Sequence, residues 1–387
     1  MLLSACMLMC GMIFFAYMHD IIIINLFYYK PRVISCGQSH KKIVTITYYG
    51  PMGSVQEKKE IIWSNNKIDN VQYLVTSWLT LLEQENIVSK KISLQSCALS
   101  VSEQDAFISF DRSFFAKQSS VRDKLMLIES LLQTIRDNEI NLQGIYFLSH
   151  HQPLNDKHLD FSKPWPLTGF VSAPYQAQPI TPLDNKKQYT IVLAPAGDAK
   201  NTERVVYNNF ECALTLQYAQ ELKTALTEMM PYSTVIITRH AGDIVEPLYN
   251  AALANRLQAD LYISLHAFQE KELLSSLGLY YVMYNPVTDL WHKKSTKLEC
   301  TPYTMAYLDN LVITQSYAFF LEKSLLSEQK KYGFATKKTV GMPFKPLLGV
   351  HVPAVALEIG VTEKQNIIAH VMPVATAINA LLEKINL

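Results

Sequence analysis

The sequence has little net charge, no paired cysteine motif and few charged residues. Thirty-five Lys and Arg against 34 Asp and Glu leave +1 over 387 residues, so no broad basic face for nucleic acid is expected. The six cysteines, at 6, 10, 36, 97, 212 and 300, form no CxxC pair, which argues against a disulfide framework and against a cysteine zinc knuckle. Charged residues make up 18% and hydrophobic ones 49%. Wholesale disorder is thereby excluded, and a chain of this length can bury a sizeable core in two or three domains.

Charge is absent altogether from the side chains of Met1 to Met18. After His19 and Asp20 a second apolar run, Ile21 to Tyr29, leads to Lys30 and Arg32. Residues 1–29 therefore read as a membrane anchor or uncleaved signal. The basic residues follow the span, which by the positive-inside rule alone would hold the rest of the chain in the cytoplasm.

From Lys42 the pattern is that of a folded domain. Ile43 to Tyr49 alternates as a half-buried strand, Gly50 to Gly53 marks a turn, and Glu60 to Trp63 is a second strand. A helix over Asn70 to Gln84 carries Val71, Leu74, Val75, Trp78, Leu81 and Leu82 on one side. Strands Ile92 to Ser100 and Ala106 to Phe110, a helix over Val121 to Arg136 and a strand over Gly144 to Ser149 complete a β-β-α-β-β-α-β order. No residue here stands out for chemistry. His150 and His151 are adjacent and point apart in extended chain, and His158 is isolated; all three read as exposed loop histidines.

Residues 171–187 hold Pro174, Pro179 and Pro182 without periodicity, a linker. Beyond it strands and helices alternate, the sign of an α/β sheet. Thr190 to Leu193 ends in the loop Ala194-Pro195-Ala196-Gly197-Asp198-Ala199, and a helix opens near Phe210-Glu211. Leu261 to Leu265 is a buried strand delivering His266, and Pro353 to Ile359 another carrying Glu358. Ligands of open α/β sheets bind beyond the carboxyl ends of strands, where these residues would meet. His266 alone also fits a hydrogen-bonded core histidine, and Glu211 an acid placed for the helix dipole. Glu358, among apolar neighbours, needs a cation, a donor or a chemical role, because a buried unpaired carboxylate costs several kcal/mol, roughly.

Two stretches resemble known families. Ala106 to Asp111 with Phe114, then Gly144 to Leu148, then Leu159-Asp160-Phe161-Ser162-Lys163-Pro164 resemble the GerMN domain of bacterial envelope and sporulation proteins. That likeness covers residues 42–170 and implies a non-catalytic α+β module with an envelope protein partner. Phe210-Glu211, Thr238-Arg239, Ala254-Asn255, Ala259 to Ala267 (ADLYISLHA) and Pro353 to Gly360 (PAVALEIG) resemble the zinc-dependent N-acetylmuramoyl-L-alanine amidases of cell-wall turnover. That likeness covers residues 188–387. It implies a mixed, largely parallel sheet with helices on both faces, Glu211 and His266 as Zn2+ ligands, Glu358 as general acid/base and peptidoglycan as substrate.

The first loop departs from the family pattern. Its ligand histidine falls on Gly197 and its orienting aspartate on Ala194, while Asn250 and Phe268 replace an expected arginine and asparagine. Two outcomes follow. Asp198, one residue along, completes a one-histidine, two-carboxylate metal site, with His240, His292 and His351 as other stand-ins. Alternatively the site is dead, and the domain binds peptidoglycan or a partner. The expected protein is a cell-wall hydrolase that cleaves the amide between N-acetylmuramic acid and L-alanine by metal-activated water, with the inactive binding module as the alternative, membrane-anchored through its N-terminal segment and exposed to the cell envelope, on the periplasmic side.

Overall fold

In the computed structural model, which describes residues 40–50, 53–88, 90–116, 118–171, 188–246, 248–291, 301–363 and 365–385, alternation sets the first strand. Val44, Ile46 and Tyr48 of His40–Gly50 (β1) are buried, and β1 pairs antiparallel along its length with Gly53–Trp63 (β2). Thr134 and Asn138 accept the amide protons of Thr47 and Thr45, so β1 is tied to a helix as well as to β2. Lys67–Gln84 (α1) starts at an Asn66 cap and buries Val71, Leu74, Val75, Trp78 and Leu82.

Leu94–Leu99 (β3), Asp105–Phe110 (β4), Gly144–Ser149 (β5), Gln152–Pro153 (β6) and Trp165–Pro166 (β7) form one sheet. Its order is β3-β4-β5-β6, with β7 on β5. Val121–Asp137 (α2) is the crossover between the parallel strands β4 and β5. The order expected from the pattern is the one observed, with two short strands added. The expected anchor at 1–29 lies outside the described residues, as does the linker at 171–187 apart from Val171.

The second sheet has seven strands. Thr190–Pro195 (β8) leads to a small hairpin, Val205–Val206 (β9) with Asn209–Phe210 (β10), and then to Glu211–Met229 (α3). Thr234–Ile237 (β11), Tyr249–Arg256 (α4), Leu261–Gln269 (β12) and Ser276–Val282 (β13) follow. Leu311–Tyr332 (α5), Ala335–Thr336 (β14), Val340–Met342 (β15), Ala354–Val361 (β16) and Val371–Ile385 (α6) complete it. The strand order is β11-β8-β12-β16-β13-β14, with β15 also on β13. Strands β11, β8, β12 and β16 are mutually parallel, and β13 runs antiparallel to β16. The core is therefore a mixed α/β sheet with a parallel centre.

The two central strands, β12 and β16, are buried along almost their whole length. Their parallel register places His266 directly beside Glu358. Paired residues of neighbouring strands face the same side, so both side chains leave the same surface of the sheet. One further element was not read from the pattern. Ile367–Ile385, a short 3₁₀ turn running into α6, is the one helix among the described residues long and apolar enough to cross a membrane. More than half of it is buried, packed against both α3 and α5.

Candidate functional site

Glu211 is the first residue of α3, and its side chain is fully buried. His266 lies 3.3 Å away, Nδ1 to Glu211 Oε1, and its Nε2 meets the Ser264 hydroxyl at 2.9 Å. His158 arrives from the loop between β6 and β7. It was expected to be an exposed loop histidine, but it is 2% exposed, with its ring 5.2 Å from that of His266 and edge-on to it. The physical reason is a docked strand-like segment. Leu159 bridges Phe344, Asp160 N–H donates to the Pro343 carbonyl, and Lys345 N–H donates to the His158 carbonyl. Together these contacts draw the 156–160 stretch across the edge of the second sheet.

His158, Glu211 and His266 offer ligand-type atoms all within 4.8 Å of one another, a grouping capable of coordinating a metal ion. Two imidazoles and a carboxylate are a donor set zinc accepts. Asp198 is not part of this grouping. Its oxygens accept the amide protons of Lys200, Asn201 and Val245 at 2.8, 2.6 and 3.1 Å, which ties two loops together. Burial would raise its carboxyl, but these amide donors outweigh that and hold it below the usual range. His240 is exposed and faces Asp243, His351 faces Asp309, and His292 lies outside the described residues.

Gly197 explains why the first loop holds no ligand. Its φ is +66°, and a Cβ built there would lie 2.5 Å from the Asn201 carbonyl oxygen and 2.9 Å from the Cys212 side chain. The loop is closed around this position, where the resemblance would place a ligand histidine.

Arg204 is the residue that neither pattern nor resemblance pointed to. Its Nε donates to Glu211 Oε2 at 2.9 Å and its Nη2 to Oε1 at 3.1 Å, a bidentate pair. Its Nη1 donates to Glu358 Oε1 at 2.7 Å and to the Ser119 carbonyl at 3.2 Å. Glu358 is otherwise held by Tyr280, whose hydroxyl donates at 3.1 Å, and by the Val121 amide, 2.9 and 3.1 Å from its two oxygens. Gly278 leaves room for this, since a Cβ there would meet the Tyr280 hydroxyl at 2.8 Å. Val121 is the first residue of α2, a 17-residue helix capped by Ser120. A helix start carries roughly half a positive charge, so Glu358 sits on an anion site supplied by the other sheet's crossover helix.

The electrostatics agree with this geometry. Burial would weaken the charged form of Arg204, but Glu211 and Glu358 outweigh it and raise its pKa. Burial would raise Glu211, but Arg204 and His266 pull its carboxyl well below the usual range. His158 is held neutral, first by burial and then by Arg204 and Lys124. Lys124 Nζ lies 3.4 Å from His158 Nδ1 and pairs with Asp156 at 2.6 Å.

The donor types fit a metal, but the lone pairs of Glu211 are already in use. Oε1 accepts from Arg204 Nη2 and from the Ala267 amide at 3.0 Å, and Oε2 accepts from the Nε and backbone N–H of Arg204. The charge count points the same way. Glu211 and Glu358 supply −2 and Arg204 +1, with the helix start adding about half a charge. A divalent ion on top of these would leave a buried excess of positive charge. One atom fits a metal better than the present packing: His266 Nδ1 is buried and has no well-aligned hydrogen-bond partner.

Residues 191–372 match the family model described as N-acetylmuramoyl-L-alanine amidase. Comparison with curated proteins gives no match. Among solved structures, the chain is similar to the catalytic domain of CwlV, an N-acetylmuramoyl-L-alanine amidase from Bacillus (Paenibacillus) polymyxa var. colistinus. Identity is 16%, with 50% of this chain and 98% of that chain covered and a TM-score of 0.36. The N-acetylmuramoyl-L-alanine amidase from Clostridium difficile 630 gives 17%, 51%, 98% and 0.36 in the same order. The N-acetylmuramoyl-L-alanine amidase AmiC2 of Nostoc punctiforme gives 16%, 51%, 96% and 0.36. By that family model residues 191–372 are amidase-like; they supply Glu211 and His266 of the His/Glu/His grouping, and the preceding part of the chain supplies His158.

Proposed function

We propose that this chain is a non-hydrolytic envelope module, in which the amidase-like domain serves as a platform locked to the domain before it. The observation that carries this reading is the state of Glu358. A general base must reach the proton it abstracts, yet both oxygens of Glu358 are engaged by Arg204, Tyr280 and the start of α2, and its side chain is 1% exposed. A narrow cleft beside it is lined by Ser120, Arg122, Phe268, Glu270, Tyr280 and Lys337, among others, and neither Glu358 nor a histidine forms part of its wall. With Glu358 enclosed, recognition falls to the outer surfaces, and the fitting partner is an envelope protein. Residues 42–170 as a GerMN-like domain and residues 1–29 as a membrane anchor support that setting.

A second reading is favoured by the meeting of His158, Glu211 and His266. In it the chain is a metal-dependent amidase cleaving the bond between N-acetylmuramic acid and L-alanine, with Glu358 as general acid/base. It requires Arg204 to release Glu211 and α2 to leave Glu358.

One experiment separates the two. The full chain is incubated with dye-labelled peptidoglycan, with and without added Zn2+, and soluble dye and freed stem peptides are measured. The non-hydrolytic reading expects release no greater than that of a Glu358→Gln control. Zinc-dependent release that the control lacks would establish the amidase reading instead.

A further inference from the structure

The family's metal site and this chain's residues disagree at one point, and the disagreement concerns the cation. We infer that Arg204 is the resident cation of this site, performing in place of a metal ion the neutralisation of Glu211 and Glu358, and that a divalent metal site lies latent beneath it. The inference rests on the closed-site reading above and deepens it.

Four observations carry it. Arg204 is buried, 3% exposed, and spends Nε, Nη1 and Nη2 on the two carboxylates that the amidase pattern assigns to metal binding and acid/base work. Its backbone N–H also donates to Glu211 Oε2 at 3.2 Å, so the segment carrying the guanidinium is anchored to the same carboxylate. A planar fork with fixed donors suits this bridging better than a lysine would. The family's missing ligand position, Gly197, has closed as well. A position closed to a ligand side chain and a buried cation thus both lie in the stretch from Gly197 to Glu211. Finally, His266 Nδ1 is buried, 3.3 Å from Glu211 Oε1, and without an aligned partner. A buried ring nitrogen this close to a carboxylate, with no well-aligned hydrogen bond of its own, is placed where a ligand atom would be.

The charge count gives the inference its direction. With Arg204 present, the two carboxylates are neutralised by the guanidinium and the start of α2, and an added divalent ion meets a fixed positive charge. With Arg204 removed, the two carboxylates face only the start of α2, about −1.5 in sum, and a divalent ion brings the site to about +0.5. Glu211 Oε1 and Oε2 each lose one side-chain donor, the backbone N–H of residue 204 remaining on Oε2, while His158 and His266 stay close to the carboxylate.

The test is a metal titration of the full chain. Co2+ is added to the parent and to Arg204→Ala, and the visible d–d absorption and the metal content after desalting are read. The parent is expected to give no bands and less than a tenth of an equivalent of cobalt. Arg204→Ala is expected to bind one equivalent, at least 100-fold more tightly, with bands of a four- or five-coordinate ion that His266→Ala in the same background abolishes. Its melting temperature should rise with added Co2+ or Zn2+ while the parent's does not. If Arg204→Ala does not fold without metal, Arg204→Gln, which keeps amide donors but no charge, is read the same way. A parent that loads one equivalent through these histidines overturns the inference, and so does a folded variant that loads none. The dye-release assay separates the two proposals: a parent that binds cobalt but releases nothing overturns the role of Arg204 and leaves the non-hydrolytic reading standing.

Discussion

The Val121 amide donates to the carboxylate of Glu358, 237 positions later in the chain, at 2.9 Å to one oxygen and 3.1 Å to the other. The start of one sheet's crossover helix thereby meets an acid within the other sheet's central strand. A carboxylate at a helix start is stabilised by unsatisfied N–H groups and by the helix dipole. Glu358 thus couples two parts of the chain.

Replacing Glu358 should accordingly be felt as lost stability. Glu358→Gln keeps the shape but removes the charge that faces Arg204 and α2. Because hydrogen bonds to charged groups contribute about 1.5–3 kcal/mol, we expect a loss of about 2–3 kcal/mol in urea unfolding of the full chain. A change below about 0.5 kcal/mol would mean that the contact contributes little to holding the two parts together.

Restoring the family's histidine at Gly197 should not restore a metal site. A side chain there must adopt φ near +66° and displace the Asn201 carbonyl. A non-glycine residue in that region costs roughly 1–3 kcal/mol, with the clash in addition. Gly197→His is expected to lower stability by about 2–4 kcal/mol and to leave zinc content unchanged by elemental analysis. A stable Gly197→His protein carrying one zinc would show that the loop opens freely.

Asp198 is expected to act on the loops alone. Removing its carboxylate strands the amides of Lys200, Asn201 and Val245, and unpaired buried donors cost about 1–3 kcal/mol each where water does not replace the partner. Asp198→Ala should speed amide hydrogen exchange across 198–201 and 243–246, and it should leave the cobalt binding of the Arg204→Ala background intact. Loss of that binding would place Asp198 among the ligands after all.

His370 supplies a pH dependence away from the site. It is fully buried, with both ring nitrogens unpartnered and Phe334 edge-on to it, and burial lowers its pKa from 6.5 to about 4. The unfolded chain takes up this proton below about 6.5 and the folded chain only near 4, so the unfolded state binds more protons between the two values. Stability from the neutral ring is complete above pH 6.5 and is lost as pH falls towards 4, by up to about 3 kcal/mol at roughly 1.4 kcal/mol per unit. His370→Leu should remove that part of the slope. Parallel pH profiles for parent and variant between 4 and 6.5 would show that the imidazole takes up its proton without unfolding.

Much of the fold was legible from short-range pattern. The alternation in Ile43 to Tyr49, the helical stripes of α1 and α2 and the apolar runs of β12 and β16 are local consequences of which residues leave water. The element order of the first part and the parallel centre of the second follow from them. The C-terminal helix was passed over because an apolar run is ambiguous until its neighbours are known. Packed between α3 and α5, it is a core element.

The site was legible only in part, and the division has a physical cause. ADLYISLHA and PAVALEIG identified His266 and Glu358 because buried strands tolerate few residue types, so a polar residue at a strand end is conspicuous in sequence. Their pairing follows from strand order, and β12 and β16 are neighbours in register. Arg204 and His158 gave no such signal. An arginine in a loop and a histidine in a turn are ordinary solvated residues until a distant part of the chain covers them. Docking of the 156–160 segment, the start of α2 and the loop before α3 on the same two strands turned those two into a buried cation and a second imidazole. The sequence by itself determined which residues can carry charge and where the strands run. Only the tertiary structure decided which charges face each other without water, because even the Arg204–Glu211 pair, seven positions apart, is buried by contacts such as Arg204–Glu358 and Val121–Glu358 that span more than a hundred.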